Sequence, residues 1–173
     1  MSKSSFQLSV IALILILVQV IVLNHVCLFN VAVPFAFIYV ILRLPVNMSQ
    51  NWALTTGFAL GLIIDIFSDT PGLNALCCTA ITALRKPVLR LYFPREDELS
   101  DPCPSISSLG AASYIKYALS MSLIYSTMVF VIEAFALFDF FSFILRIVSS
   151  TILTTLLLLG IDGLTLRKNE KRL

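Results

Sequence analysis

Residues 4–42 carry no formal charge, counting His25 as neutral, whereas one helix across a bilayer core uses about 20 residues. One helix cannot use that length. The polar cluster from Asn24-His25 to Asn30 divides the run and predicts two helices, 6–23 and 31–44, with Pro34 in the first turn of the second. Pro45, Asn47 and Asn51 mark a turn, and the run WALTTGFALGLIIDIF predicts a third helix over 52–67, its Trp52 placed where interfacial aromatics sit. Ser68-Asp69-Thr70-Pro71-Gly72 reads as a tight turn in which Thr70 caps a fourth helix that begins at Pro71. That helix stays charge-free only as far as Leu84.

Residues 85–110 are the most polar stretch and predict a solvated loop, with the apolar strip 88–93 lying along a surface. Two further helices fit 112–134 and 140–161, and a basic tail, 163–173, ends the sequence. No repeat or low-complexity segment interrupts the pattern. The expectation is therefore an all-α polytopic fold, a single six-helix membrane domain over 1–173.

Composition agrees, with 58% hydrophobic and 13% charged residues where soluble domains carry about 25% charged. Disorder requires the opposite balance. The net charge of +2 is too small and too scattered for a nucleic-acid partner. Placing the N-terminus in the cytoplasm puts every Lys and Arg except Lys116 and Arg146 into inner loops or termini, as the positive-inside rule requires. The fourth helix must then span, because Arg43 and the cluster Arg85, Lys86, Arg90 and Arg95 both belong inside. Residues 85–110 become a cytoplasmic loop, and both termini are cytoplasmic. The run after Lys3 ends in Asn24-His25-Val26 before Cys27, without a small-residue cleavage site, which predicts an uncleaved anchor.

Ionisable side chains inside lipid are costly and mark functional sites by default. Asp65, Glu133 and Arg146 all fall in the outer third of the membrane, so Arg146 is expected to pair with Asp65 or with Glu133. Lys116 and Asp162 lie near cytoplasmic helix ends, where interfacial solvation accounts for them. Ala53, Gly57, Gly61 and Asp65 recur every four residues on one helix face, and Gly57 with Gly61 forms a GxxxG. That face is either internal packing or a partner contact. Ser122 and Ser126 on one helix, and Ser150 and Thr154 on another, read as interhelical hydrogen-bond groups. Phe138, Phe140, Phe141 and Phe143 crowd the outer turn as an interface anchor or partner patch.

Cys27, Cys77, Cys78 and Cys103 lack metal-ligand spacing and read as small apolar fillers. His25 stands alone and no GxSxG, HExxH or phosphate-cradling glycine loop occurs, so no catalytic residue, metal or cofactor is expected.

The segment Gly61-Leu62-Ile63-Ile64-Asp65, followed by Pro71-Gly72-Leu73-Asn74-Ala75-Leu76, resembles the GLxxD stretch and second glycine of the rod shape-determining protein MreD family of bacterial inner membranes. Length, six spans and Pro34 agree with that family, while the acidic loop 94–108 is longer than its pattern. The resemblance implies a non-enzymatic scaffold that binds an MreC-like bitopic protein, with MreB and the peptidoglycan synthases of the rod complex as further partners. It implies a fold like the S-component of energy-coupling-factor transporters. By that analogy Gly57, Gly61, Asp65 and Gly72 shape the region of partner contact, while Glu133 and Arg146 are read from their charge and depth as buried helix contacts. A small-molecule carrier subunit is the alternative, and it requires a pocket with convergent polar groups.

Overall fold

A computed structural model describes residues 3–23, 33–93, 103–133 and 140–170. Its order is α1 (Lys3–Val18) running into a π turn (Gln19–Leu23), α2 (Ile38–Leu42), α3 (Gln50–Ser68), α4 (Leu73–Tyr92), α5 (Ile106–Leu109), α6 (Ala111–Glu133) and α7 (Phe140–Glu170). No strand occurs among the described residues. Among the described residues three stretches are long and apolar enough to cross a bilayer, namely α3, α6 and Phe141–Thr165 of α7.

α3 and α4 form an antiparallel hairpin, and so do α6 and α7, where Ser122 and Thr155 hydrogen-bond at 2.8 Å across the seam. Fully buried Tyr114, Tyr117, Met121 and Tyr125 line the inner face of α6. Large apolar side chains such as Phe58, Ile66, Leu76 and Leu156 point outward, the inverse of a water-soluble bundle and the arrangement lipid requires. Trp52, near the start of α3, is 67% exposed.

The expected helix over 31–44 is not formed as such. Only Ile38–Leu42 is helical, a rise of about 7.5 Å, and Val33, Pro34 and Phe35 are irregular. Pro34 has no amide to donate, and the neighbouring polar groups find partners on other helices instead. Ser150 Oγ accepts from Val33 N at 3.0 Å, and Thr154 Oγ1 accepts from Phe35 N at 3.2 Å. Gln19, at the start of the π turn, accepts from Ala36 N and donates to Pro34 O, at 3.0 and 3.1 Å. Five side chains of this segment, Ala36 to Val40, are all buried. Unwound backbone is tolerated at membrane depth when protein encloses it and completes its hydrogen bonds.

The loop expected over 85–110 is corrected in two places. Residues 85–92 continue α4 through Pro87, and residues 103–110 are ordered around α5. Arg85 is 1% exposed, and its guanidinium donates to Ile41 O, Leu44 O and Pro45 O at 3.3, 2.7 and 3.0 Å. Leu89 is buried and Leu91 exposed, so 88–92 is a helix flank and no surface strip. Residues 94–102 lie outside the described residues. The last helix, expected to end at 161, continues to Glu170, so the first part of the basic tail is helical.

Asp162 is not solvated at an interface but fully buried. Its Oδ1 accepts from Tyr39 Oη and Arg43 Nη1 at 2.9 and 3.0 Å, and its Oδ2 accepts from Ile106 N at 2.8 Å. Lys116 is exposed. Asp162→Ala is therefore expected to strand Arg43 and lower stability by about 3 kcal/mol, while Lys116→Ala changes it by less than about 0.5 kcal/mol. Thermal unfolding in detergent measures the difference.

Candidate functional site

Asp65 stands one turn before the end of α3, 7% exposed, and faces the first turn of α4. Its Oδ1 accepts from Thr70 Oγ1, Asn74 N and Asn74 Nδ2 at 2.8, 2.9 and 3.0 Å, and its Oδ2 accepts from Ala75 N at 2.8 Å. A helix N-terminus presents amides without intrahelical acceptors and a partial positive charge. α4 begins after Gly72 without a capping side chain of its own, so the carboxylate of the neighbouring helix serves as its cap. The Thr70 cap and the helix start at Pro71 are thus corrected. Thr70 turns back onto Asp65, and α4 starts at Leu73.

The backbone allows this geometry at two places. Asp69 closes α3 in the left-handed region with φ 55°, and Gly72 precedes α4 with φ 81°, where a side chain would be strained. Asn74 passes the network inward by accepting from Tyr125 Oη on α6. The Tyr125 ring in turn meets Phe35 and Phe37 edge-on, with centroids 4.9 and 5.6 Å away. Asp65 thereby connects α3, α4, α6 and the unwound segment.

Gly57 and Gly61 belong to the same contact. A Cβ built on Gly61 would lie 2.5 Å from Ala75 Cα and Asn74 O, and one built on Gly57 would overlap Thr82 Oγ1. The GxxxG of α3 therefore packs internally against α4, which answers the choice the sequence left open. With both glycines in place α4 approaches closely enough for Asp65 to reach its amides. Gly72 lies apart from that contact and is exposed at the rim.

Glu133 and Arg146 form a separate group. They are in register across the α6–α7 pair and within electrostatic reach, but they do not close to ion-pair distance. The expected pairing of Arg146 with Asp65 does not occur, because the Asp65 oxygens are taken by α4 and Thr70. Phe141 is 81% exposed, while Phe138 lies outside the described residues. Cys77 and Cys78 are buried fillers of α4, and Cys27 is outside the described residues.

A groove of about 1020 Å³ runs along the outward side of the α3–α4 hairpin. Leu54, Phe58, Leu62 and Ile66 form the α3 wall, and small α4 side chains, among them Ala75, Thr79, Ala80 and Ala83, form its floor. Thr79 donates its hydroxyl to Ala75 O at 2.7 Å, so the floor is apolar in effect. Asp65 and Gly72 border the groove at one end. Sequence reasoning found Asp65, Gly57, Gly61 and Gly72 but missed Asn74 and Tyr125, although Thr70 and Asn74 follow Asp65 by five and nine residues across a Pro-Gly turn, a spacing that signals a cap across the turn. No family model, curated protein or solved structure matches the chain.

Asp65→Ala is expected to uncap α4 and lower stability by about 3 kcal/mol, and Tyr125→Phe by about 1 kcal/mol. Gly61→Val forces the hairpin apart and costs about 1–3 kcal/mol, whereas Gly160→Ala, on an open helix face, is neutral or slightly stabilising. Melting temperatures of the purified variants test the ranking.

Proposed function

We propose that this chain is a non-enzymatic scaffold of the bacterial cell-elongation machinery, of the MreD type, which binds the transmembrane helix of an MreC-like bitopic protein. MreB and the peptidoglycan synthases of the rod complex are its further partners. In this reading the chain crosses the inner membrane six times, the 33–44 segment, irregular at its start and helical over Ile38–Leu42, serving as the second pass. Both termini lie in the cytoplasm.

The observation that carries the reading is the α3–α4 groove. A bare lipid face needs no concavity. A groove floored by small side chains lets a foreign helix approach closely, and close packing is what drives helix association where hydrophobic exclusion is absent. Leu54 to Ile66 spans about 18 Å of helix, enough for three turns of a partner. The GLxxD and Pro-Gly segments that carry the family resemblance form the hairpin beside it.

Further support comes from the use of the interior polar groups. Gln19, Ser150 and Thr154 hold the unwound backbone, and Asp65 holds α4, so these side chains are engaged within the bundle. A carrier would present such groups to a solute. Orientation follows charge, since Arg43, Arg85, Lys86 and Lys116 collect at the end of the bundle where α2 finishes and α6 starts, the end assigned to the cytoplasm.

Depletion in a rod-shaped host is expected to round the cells. Normal shape combined with a vitamin requirement would overturn the proposal in favour of a carrier. Within the proposal, Ala80→Trp fills the groove and is expected to reduce co-purification of the bitopic partner at least about fivefold, equivalent to roughly 1 kcal/mol, with an unchanged melting temperature. Leu164→Ala, on an exposed face of α7, leaves recovery unchanged.

A further inference from the structure

Buried serines and threonines on the helices of this bundle use their hydroxyls in two ways. Thr82, Ser122 and Thr155 donate back to the carbonyl four residues earlier, at 2.6, 2.8 and 2.7 Å, the local bond that satisfies such a group inside a helix. Ser150 and Thr154 forgo that bond, and each accepts from an amide of the unwound segment instead.

Ser126 and Thr151 also forgo the local bond. Ser126 is 0% exposed and Thr151 4%, yet neither hydroxyl has a hydrogen-bond partner among the described residues. The two belong to one place. α6 and α7 run antiparallel with Ser122 bonded to Thr155, so one turn further along α6 and one turn back along α7 bring Ser126 opposite Thr151. The polar positions of α7 thus form two neighbouring stripes, Ser150 and Thr154 toward the unwound segment, Thr151 and Thr155 toward α6. The seam carries a hydroxyl pair at two successive turns, and only the first pair closes by a direct bond.

A buried hydroxyl without a partner is costly, and here two of them meet at one point. The surrounding chemistry narrows what they bind. Residues 122–130 and 147–155 hold no acidic side chain, so nothing at this level balances a cation. Two neutral hydroxyls, with the Ser122 carbonyl that a back-bonding Ser126 would use in the same turn, supply the polar partners that a buried water requires.

We propose that a single water molecule is bound between Ser126 and Thr151 and closes the α6–α7 seam one turn beyond the Ser122–Thr155 bond. It donates to one hydroxyl and accepts from the other. It stands beside Tyr125, the residue through which α6 reaches Asn74 and the rings of Phe35 and Phe37, and so holds α7 at the level where that path begins. The site lies inside the bundle and does not depend on any partner outside it.

Two conservative deletions test the site in full-length protein purified in detergent. Ser126→Ala and Thr151→Val each remove a hydroxyl at nearly constant shape. With a bound water, each variant loses one of its ligands, and the melting temperature is expected to fall by about 2–4 °C. Deleting an unmet hydroxyl relieves a cost, so an unchanged or raised melting temperature in either variant overturns the site. A direct Ser126–Thr151 bond would also lower the melting temperature, and a second measurement separates the two. Hydroxyl radicals made from water by a short X-ray pulse mark side chains beside a bound water even where bulk solvent is shut out. Tyr125 and Phe130, both buried, flank Ser126 along α6. Their oxidation, read by peptide mass, is expected to be at least about fivefold lower in the Ser126→Ala, Thr151→Val double variant than in the unaltered protein. Equal oxidation in the two proteins overturns the water.

Discussion

A helix end buried away from water leaves amides or carbonyls that need partners, and in this bundle charged side chains from neighbouring elements supply them. Asp65 of α3 binds the first amides of α4. Arg85 of α4 binds the carbonyls of Ile41, Leu44 and Pro45 where α2 ends. Asp162 of α7 binds the first amide of α5. The signs follow the dipoles, since both carboxylates meet N-termini and the guanidinium meets a C-terminus. A buried ionised group is expensive by itself, and so is an unmet backbone end. Each offsets the other, and three otherwise unfavourable features become three tethers between elements distant in sequence.

The unwound 33–36 backbone follows the same logic with neutral groups. Gln19, Ser150 and Thr154 complete its hydrogen bonds, which joins α1 and α7 to a segment that has no ladder of its own. Phe35 and Phe37 then rest on Tyr125, Tyr125 on Asn74, and Asn74 on Asp65. A continuous path of contacts runs from the middle of α7 to the C-terminal end of α3. Loss of any polar member leaves a buried group unmet, which is why the bundle tolerates an irregular strip at its centre.

What could be read in advance was set by local periodicity and charge-free length. α3 and α6 lie within two residues of their expected ends, because each is a long apolar run bounded by polar turns. The 31–44 run satisfied the same test and is mostly not helical, since the partners that release it from helical bonding sit on α1 and α7, out of reach of any local window. Arg85 and Asp162 were misread for a related reason. A charge beside an apolar run is ordinarily at its solvated edge, and only the approach of another element's backbone end makes its burial favourable. The Asp65 site was more legible, because Gly57, Gly61 and Asp65 share a face at four-residue spacing and their partners follow across one turn.

The glycines of α3 and the groove outside them address different neighbours from two sides of one hairpin. Gly57 and Gly61 bring α3 against Thr82, Ala75 and Asn74 on the inward side. On the other flank of the same hairpin, Leu54, Phe58, Leu62 and Ile66 rise above the small side chains of α4. Internal packing and external groove therefore share residues, since Ala75 meets Gly61 on one side and lines the groove on the other, and Asp65 holds the Ala75 amide at the groove's end. A change at Gly61 should thus alter a surface that it does not line, and a binding defect at that position would report on hairpin geometry and not on a lost contact.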